Sequence, residues 1–288
     1  AQPGGARPRR GARVPEWIAH GRFLKRWIFF EGRQGLDLRL QGKVAIVSGA
    51  SRGIGVAIAK GLAEEGVKLC LAARGEKDLA AAATQIEASG GEALAITTDM
   101  ADDASVRALV AAAIERFGRV DIVVSNASPI ATGPTRADWE QCLSVDLLGA
   151  VRLVEETLPG MEERGEGSIL LISSGSAVDA APMDDYAYTT AKAALVAYSK
   201  KLSNIAGRSG VRGNALLPGS IEFPGGGWET IRRENPQMYE MARAGIPFGR
   251  HGRPEEVADA AVWLVSERAA WVNGTSLGVD GGQSKSIR

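Results

Sequence analysis

The chain has 288 residues, 45% hydrophobic and 24% charged, enough for one large α/β domain or two small ones with ample material for a core. Its 34 basic and 34 acidic side chains cancel, so no long-range attraction to nucleic acid or to an anionic membrane is expected. Two histidines, His20 and His251, have no spaced partner, which argues against a metal site or a His-based triad. Two cysteines lie far apart; Cys70, inside VKLCLAA, reads as a small buried hydrophobe, and scattered thiols point to a reducing, cytoplasmic compartment.

Residues 1–37 are unlike the rest of the chain. AQPGGARPRRGARVPEW is rich in Arg, Gly and Pro, and GRFLKRWIFF mixes bulky aromatics with bases. Neither run approaches the roughly 20 apolar residues of a membrane helix. The segment is basic and acid-poor, yet it lacks an apolar stretch followed by a small-residue cleavage site, and RFLKRW lacks an adjacent arginine pair. It reads as a disordered or non-native extension, with a surface-docking segment at residues 14–30 and a transit peptide as alternatives. The domain proper begins near Leu38.

From Gly42 onward, KVAIVSG, VKLCLAA, EALAITT, VDIVVSN, GSILLIS, VRGNALLPG and SLGVDGG are strand candidates. They are nearly continuous in apolar residues, as strands covered on both faces require. Between them GVAIAKGLAEEG, EKDLAAAATQIEAS and DDASVRALVAAAIERFG read as helices, the last opened by Asp102 and Asp103. Strands separated by helices predict right-handed βαβ units. The expectation is a single α/β domain over residues 38–288: one doubly wound parallel sheet of about seven strands, with helices on both faces. The segment 221–250 is a long loop carrying Trp228, Met238, Tyr239 and Met241, which either line an apolar pocket or pack as helices. Its Arg232 and Arg233 either meet an acidic carrier or a phosphate-bearing thioester, or form a solvated helix face.

After the first strand comes SGASRGIG, residues 48–55. Glycines at a strand-to-helix turn let backbone approach a diphosphate, whose charge the helix N-terminus favours. The spacing is GxxxGxG and not GxGxxG, and glycine turns without ligands are common, so position in the first βα unit strengthens the reading. The second strand ends in Ala73 and Arg74 where an acidic residue would bond ribose hydroxyls. With Arg52, Arg74 offers two guanidiniums to a 2′-phosphate, which favours NADP(H) over NAD(H); two solvated surface arginines are the plain alternative.

Residues 186–192 read YAYTTAK. Residues four apart share a helix face, so Tyr188 pairs with Lys192, whereas Tyr186 would pair with Thr190. An ammonium on the same face favours the phenolate of a tyrosine, whose ordinary pKa is about 10. Such a pair occurs often by chance and carries little alone.

Taken with the glycine loop, the chain from about Leu38 to its end resembles the short-chain dehydrogenase/reductase family, in its 3-oxoacyl-reductase-like branch. The resemblance rests on SGASRGIG, Asp99 after the third strand, SNAS at 125–128, ISSGSA at 172–177, YTTAK at 188–192, LPGSI at 217–221, GRPEEVADAAVWLVSE at 252–267 and VNGTSLGVDGG at 272–282. It implies a Rossmann-type fold, a hydride transfer between a nicotinamide and a small-molecule carbonyl or secondary alcohol such as a 3-oxoacyl thioester, and a homo-oligomer, tetramer or dimer. It further implies that Tyr188 is the general acid, that Lys192 holds the nicotinamide ribose, and that Ser174 bonds the substrate oxygen, with Ser173 and Ser176 as weaker choices. Ser174 lies fourteen residues before Tyr188, one more than the family usually has; Pro182 keeps its usual distance, so the extra residue falls in PMDDYA.

On the cofactor side the resemblance implies Gly49, Ser51, Arg52, Gly53, Ile54 and Gly55 around the diphosphate and Arg74 at the 2′-phosphate. Asp99 and Met100 would meet the adenine, Asn126 and Ala127 the adenosine side, and Pro218, Gly219 and Ile221 the nicotinamide, beside Tyr188 and Lys192. Four positions depart from the pattern. Ser48 replaces threonine but keeps a hydroxyl, and Ser128 replaces a glycine. Asp146 stands where the family places the asparagine of its proton relay, and Phe223 where a threonine commonly meets the carboxamide. These departures motivate a second reading, a catalytically weak NADP-binding regulatory or structural subunit.

Overall fold

The computed structural model describes residues 36–179 and 183–287; the expectations for residues 1–35 and for Pro182 lie outside them. Seven short apolar runs form the strands β1 (Val44–Ser48), β2 (Lys68–Ala73), β3 (Glu92–Thr97), β4 (Ile122–Ser125), β5 (Gly167–Ile172), β6 (Val211–Pro218) and β7 (Ser276–Val279). They pair in the order β3-β2-β1-β4-β5-β6-β7, every pair parallel. All seven coincide with the runs expected from sequence.

The helices are α1 (Gly53–Glu64), α2 (Glu76–Ala88), α3 (Asp103–Phe117), α4 (Arg136–Gln141), α5 (Gly149–Arg164), α6 (Tyr186–Ala206), α7 (Gly227–Glu234), α8 (Pro236–Gly245) and α9 (Pro254–Val265). Asp102 caps α3 by accepting from the Ala104 amide at 3.1 Å, which satisfies one of the helix's orphan donors. Alternate strand residues feed two cores. Ala45 and Val47 pack with α1, α2 and α9, whereas Ile46 packs with α3, α5 and α6. Cys70 is fully buried, and burial pushes its thiol up to about 12.

The sheet turns back on itself between β1 and β4. After β3 the chain crosses to the far side of β1, so the loops after β1 and β4 diverge and leave a crevice at the C-terminal ends of the strands. The segment expected as a long loop at 221–250 is in fact largely helical, built from α7 and α8. Asn235 caps α8 through the Met238 amide at 3.1 Å, and Pro236 occupies its first turn, where a missing N–H costs nothing. Among the described residues, no helix is long and apolar enough to cross a membrane.

Candidate active site

The glycine loop leaves β1 and opens α1. No side chain caps the helix at Arg52 and its first turn holds no acidic residue, so its leading amides favour an anion. A side chain at Gly55 would place its Cβ 2.2 Å from the Gly49 carbonyl oxygen, so the helix can approach the loop this closely only with glycine there. Ser48 Oγ accepts from the amides of Asn126 and Ala127 at 3.0 and 3.1 Å, and Asn126 Nδ2 donates to the Ser48 and Gly49 carbonyls at 3.1 Å each. Serine at this position therefore ties β1 to β4 with its hydroxyl. These features fit the diphosphate of a dinucleotide.

Two side chains modify that cradle. The Phe223 ring lies on Gly53, where a Cβ would sit 2.6 Å from its Cζ. Arg52 Nη1 donates to the Gly225 carbonyl at 3.0 Å, while Arg74 is exposed at the end of β2. The segment after β6 is thus docked on the glycine loop. Asp99 Oδ1 accepts from the Ala101 amide at 2.9 Å, which folds the turn after β3, and Met100 is buried behind it. Ser128 Oγ accepts from the Ile130 amide at 3.1 Å, and Ile130 adopts φ 51°. For a β-branched residue this conformation costs of order 1–3 kcal/mol, and such strain clusters beside functional crevices.

Tyr188 and Lys192 emerge on one face of α6, with Lys192 Nζ 5.6 Å from the Tyr188 ring centre. Tyr186 is 60% exposed at the start of the same helix. Between α4 and α5 the chain winds as a π-helix over Cys142–Leu148. Wider turns of this kind recur at functional sites, and here one carries Asp146 against α6. Lys192 Nζ lies 2.8 Å from Asp146 Oδ1 and donates to the Ile172 carbonyl at 3.0 Å. Asp146 is fully buried, and neither of its oxygens has a well-directed hydrogen bond among the described residues, so the contact is an ion pair. Burial, the largest single effect, pulls the Lys192 pKa down, but its neighbours together, Asp146 first and then Tyr188, outweigh it and hold the ammonium above its ordinary value.

The serines divide. Ser173 Oγ is buried and donates to the Lys192 carbonyl at 2.7 Å, fixing α6 against β5; Ser174 Oγ is half-buried and accepts from the Ser176 amide at 3.2 Å. Pro218 ends β6, and Gly219 continues it by donating to Val279 at 3.0 Å. Ile221 is buried and bridges Gly252. An apolar wall of Ala131, Trp139 and Leu143 packs with Cys142, Ala187 and Ala191 beside Tyr188. Sequence reasoning missed this wall; the only signal was a tryptophan in an otherwise polar helix. Burial, then the nearby Asp146 charge, pushes the Cys142 thiol up to about 11.

An uncapped glycine helix at the switch point of a parallel sheet, opposite a Tyr–Lys pair, defines a nicotinamide-dinucleotide oxidoreductase scaffold. Residues 49–284 match the family model described as Enoyl-(Acyl carrier protein) reductase. Isoepoxydon dehydrogenase patN of Penicillium expansum is 33% identical over 250 residues, covering 86% of this chain and 96% of that one. A putative ketoacyl reductase of Streptomyces coelicolor is 35% identical over 259 residues, covering 83% and 96%. Actinorhodin polyketide ketoreductase, solved with NADPH, superposes with TM-score 0.80 at 31% identity over 85% of this chain and 98% of that one. The chain belongs to the short-chain dehydrogenase/reductase family and is an oxidoreductase working between a nicotinamide cofactor and a carbonyl or alcohol.

Proposed function

We propose that the chain is an NADPH-dependent carbonyl reductase of the cytoplasm, acting on a ketone such as a 3-oxoacyl thioester and assembling as a homo-oligomer, dimer or tetramer. The observation that carries the reading is Tyr188 and Lys192 on one face of α6, beside the Ser174 turn. When bound, the nicotinamide supplies the hydride. The Tyr188 hydroxyl gives its proton to the substrate oxygen, and the Ser174 hydroxyl holds that oxygen by a hydrogen bond. Lys192 keeps a positive charge beside the phenol; its remaining N–H capacity, beyond the Ile172 carbonyl and Asp146, serves the nicotinamide ribose.

Gly49, Ser51, Gly53, Ile54 and Gly55 receive the diphosphate, Asp99 and Met100 the adenine, Asn126 and Ala127 the adenosine side, and Pro218, Gly219 and Ile221 the nicotinamide. Arg74, exposed at the end of β2, and Arg52 favour a 2′-phosphate. L-sorbose reductase from Gluconobacter frateurii, 33% identical and solved with NADPH and L-sorbose, supports the same cofactor and widens the substrate class to ketose sugars. The apolar wall at Ala131, Trp139 and Leu143 favours the less polar ketones.

A screen of ketones against NADPH and NADH in parallel tests this. Ketone-dependent oxidation of NADPH, faster than of NADH, is expected. Tight nucleotide binding without turnover of any ketone would instead favour the regulatory subunit, a reading supported by the buried Asp146 and by Phe223 on the glycine loop.

A further inference from the structure

His251 precedes the residue that pins the end of β6. Gly252 donates to the Ser220 carbonyl at 2.9 Å and accepts from the Glu222 amide at 2.9 Å. The imidazole is only 6% exposed, and neither ring nitrogen has a hydrogen-bond partner among the described residues. The Trp228 ring of α7 meets it edge-on, with centres 4.6 Å apart at 81°; the Tyr239 ring of α8 lies at 4.4 Å and 37°. Tyr239 donates its hydroxyl to Glu222 Oε2 at 2.6 Å, and Arg232 of α7 pairs with Glu222 Oε1 at 2.8 Å. One ring thus joins both helices to the strand extension they cover.

A neutral imidazole suits this stack of rings. An imidazolium would bring a charge and a second N–H donor into a buried space that offers neither ring nitrogen a hydrogen-bond partner among the described residues, which is costly. Of the charged groups around it, Glu222 is engaged by Tyr239 and Arg232, Glu240 pairs with Arg243 on α8, and Arg250 beside it pairs with Glu256 of α9. We propose that His251 is a positioning residue that holds α7 and α8 over the end of β6 only while its ring is neutral, so that acid releases this segment.

Burial first, then Arg243, lowers the His251 pKa below its ordinary value, against opposing pulls from Glu222 and Glu240. The closed arrangement therefore binds the proton less well than the released one. Closure is at full strength above the ordinary histidine pKa of about 6.5 and weakens as the pH falls below it, by up to about tenfold per unit.

The proposal needs neither nucleotide nor substrate, so it stands apart from the cofactor reading. Hydrogen exchange followed by mass spectrometry on the full chain, corrected for intrinsic rates, reads it directly. At pH 5.5 the peptides spanning 227–245 should exchange about three- to tenfold faster than at pH 7.5, while α1 peptides keep their protection. No rise in the unmodified chain overturns the proposal. In the His251→Phe variant, exchange of the same peptides that is flat with pH, at whatever level, supports it. A rise that persists in that variant shows that another group is responsible and overturns it.

Discussion

Lys192 and Asp146 form a buried ion pair, Nζ 2.8 Å from Oδ1, with side chains 3% and 0% exposed. Burial alone would depress the lysine; Asp146, helped by Tyr188, reverses that. The stability that goes with the raised Lys192 value is present throughout the neutral range and is lost as the pH climbs through that value. Asp146→Asn should keep the shape while removing the charge, so the alkaline limb of the pH–kcat profile should move to lower pH. Asp146→Ala should also cost about 3–5 kcal/mol in thermal or denaturant unfolding, because a buried ammonium is left unpaired. An unmoved alkaline limb in Asp146→Asn would show that the pair does not set the Lys192 charge.

Tyr188→Phe keeps the ring that packs beside Cys142 and Ala187 but removes the proton donor. Ketone-dependent NADPH oxidation should fall by at least about 10²-fold, the usual scale of general acid catalysis, with nucleotide affinity unchanged. Tyr186→Phe, at an exposed position, should leave both intact. Steady-state kinetics and a nucleotide titration on the two variants separate the tyrosines; unaltered turnover in Tyr188→Phe rejects it as the acid.

The contrast between these tyrosines is legible in the sequence, because helical spacing alone pairs Tyr188 with Lys192. The strands are legible for a similar reason: doubly covered strands must be apolar throughout, and that pattern survives in any sequence. The segment 221–250 is not, since α7 and α8 are short, polar and held largely by contacts to Glu222 and His251, which no local pattern announces. Nor is the π-helix over Cys142–Leu148, whose wider turn no local residue pattern marks. Residue identity flags Asp146 and Phe223 as unusual, but only packing reveals that one pairs with Lys192 and the other lies on Gly53.

Both arginines are exposed, but Arg52 is held by the Gly225 carbonyl, so the two should contribute unequally to a 2′-phosphate. A charge-assisted hydrogen bond is worth about 1.5–3 kcal/mol. Arg74→Ala should therefore raise the NADPH Kd by about 10- to 100-fold and leave NADH nearly untouched. Arg52→Ala should do less to NADPH, because the native arginine must first leave Gly225. Parallel titrations with both nucleotides check the order; equal losses for NADH and NADPH would remove both arginines from 2′-phosphate recognition.

Gly55 offers a test of the cradle itself. A Cβ there would lie 2.2 Å from the Gly49 carbonyl oxygen, a backbone atom that no side-chain rotation can move aside. Gly55→Ala must push α1 away from β1, at the cost of overpacking, about 1–3 kcal/mol. For a domain of this size each kcal/mol lowers Tm by about 2–4 °C. The same shift moves the leading amides of α1, so nucleotide affinity should fall with stability. Gly245→Ala is the matched control: a Cβ there meets nothing within 4 Å at the end of α8, and it should leave Tm unchanged or slightly higher. Calorimetry with and without NADPH reads both effects. A Gly55→Ala protein that retains its full ligand-induced rise in Tm would mean that the diphosphate is received elsewhere than at the start of α1.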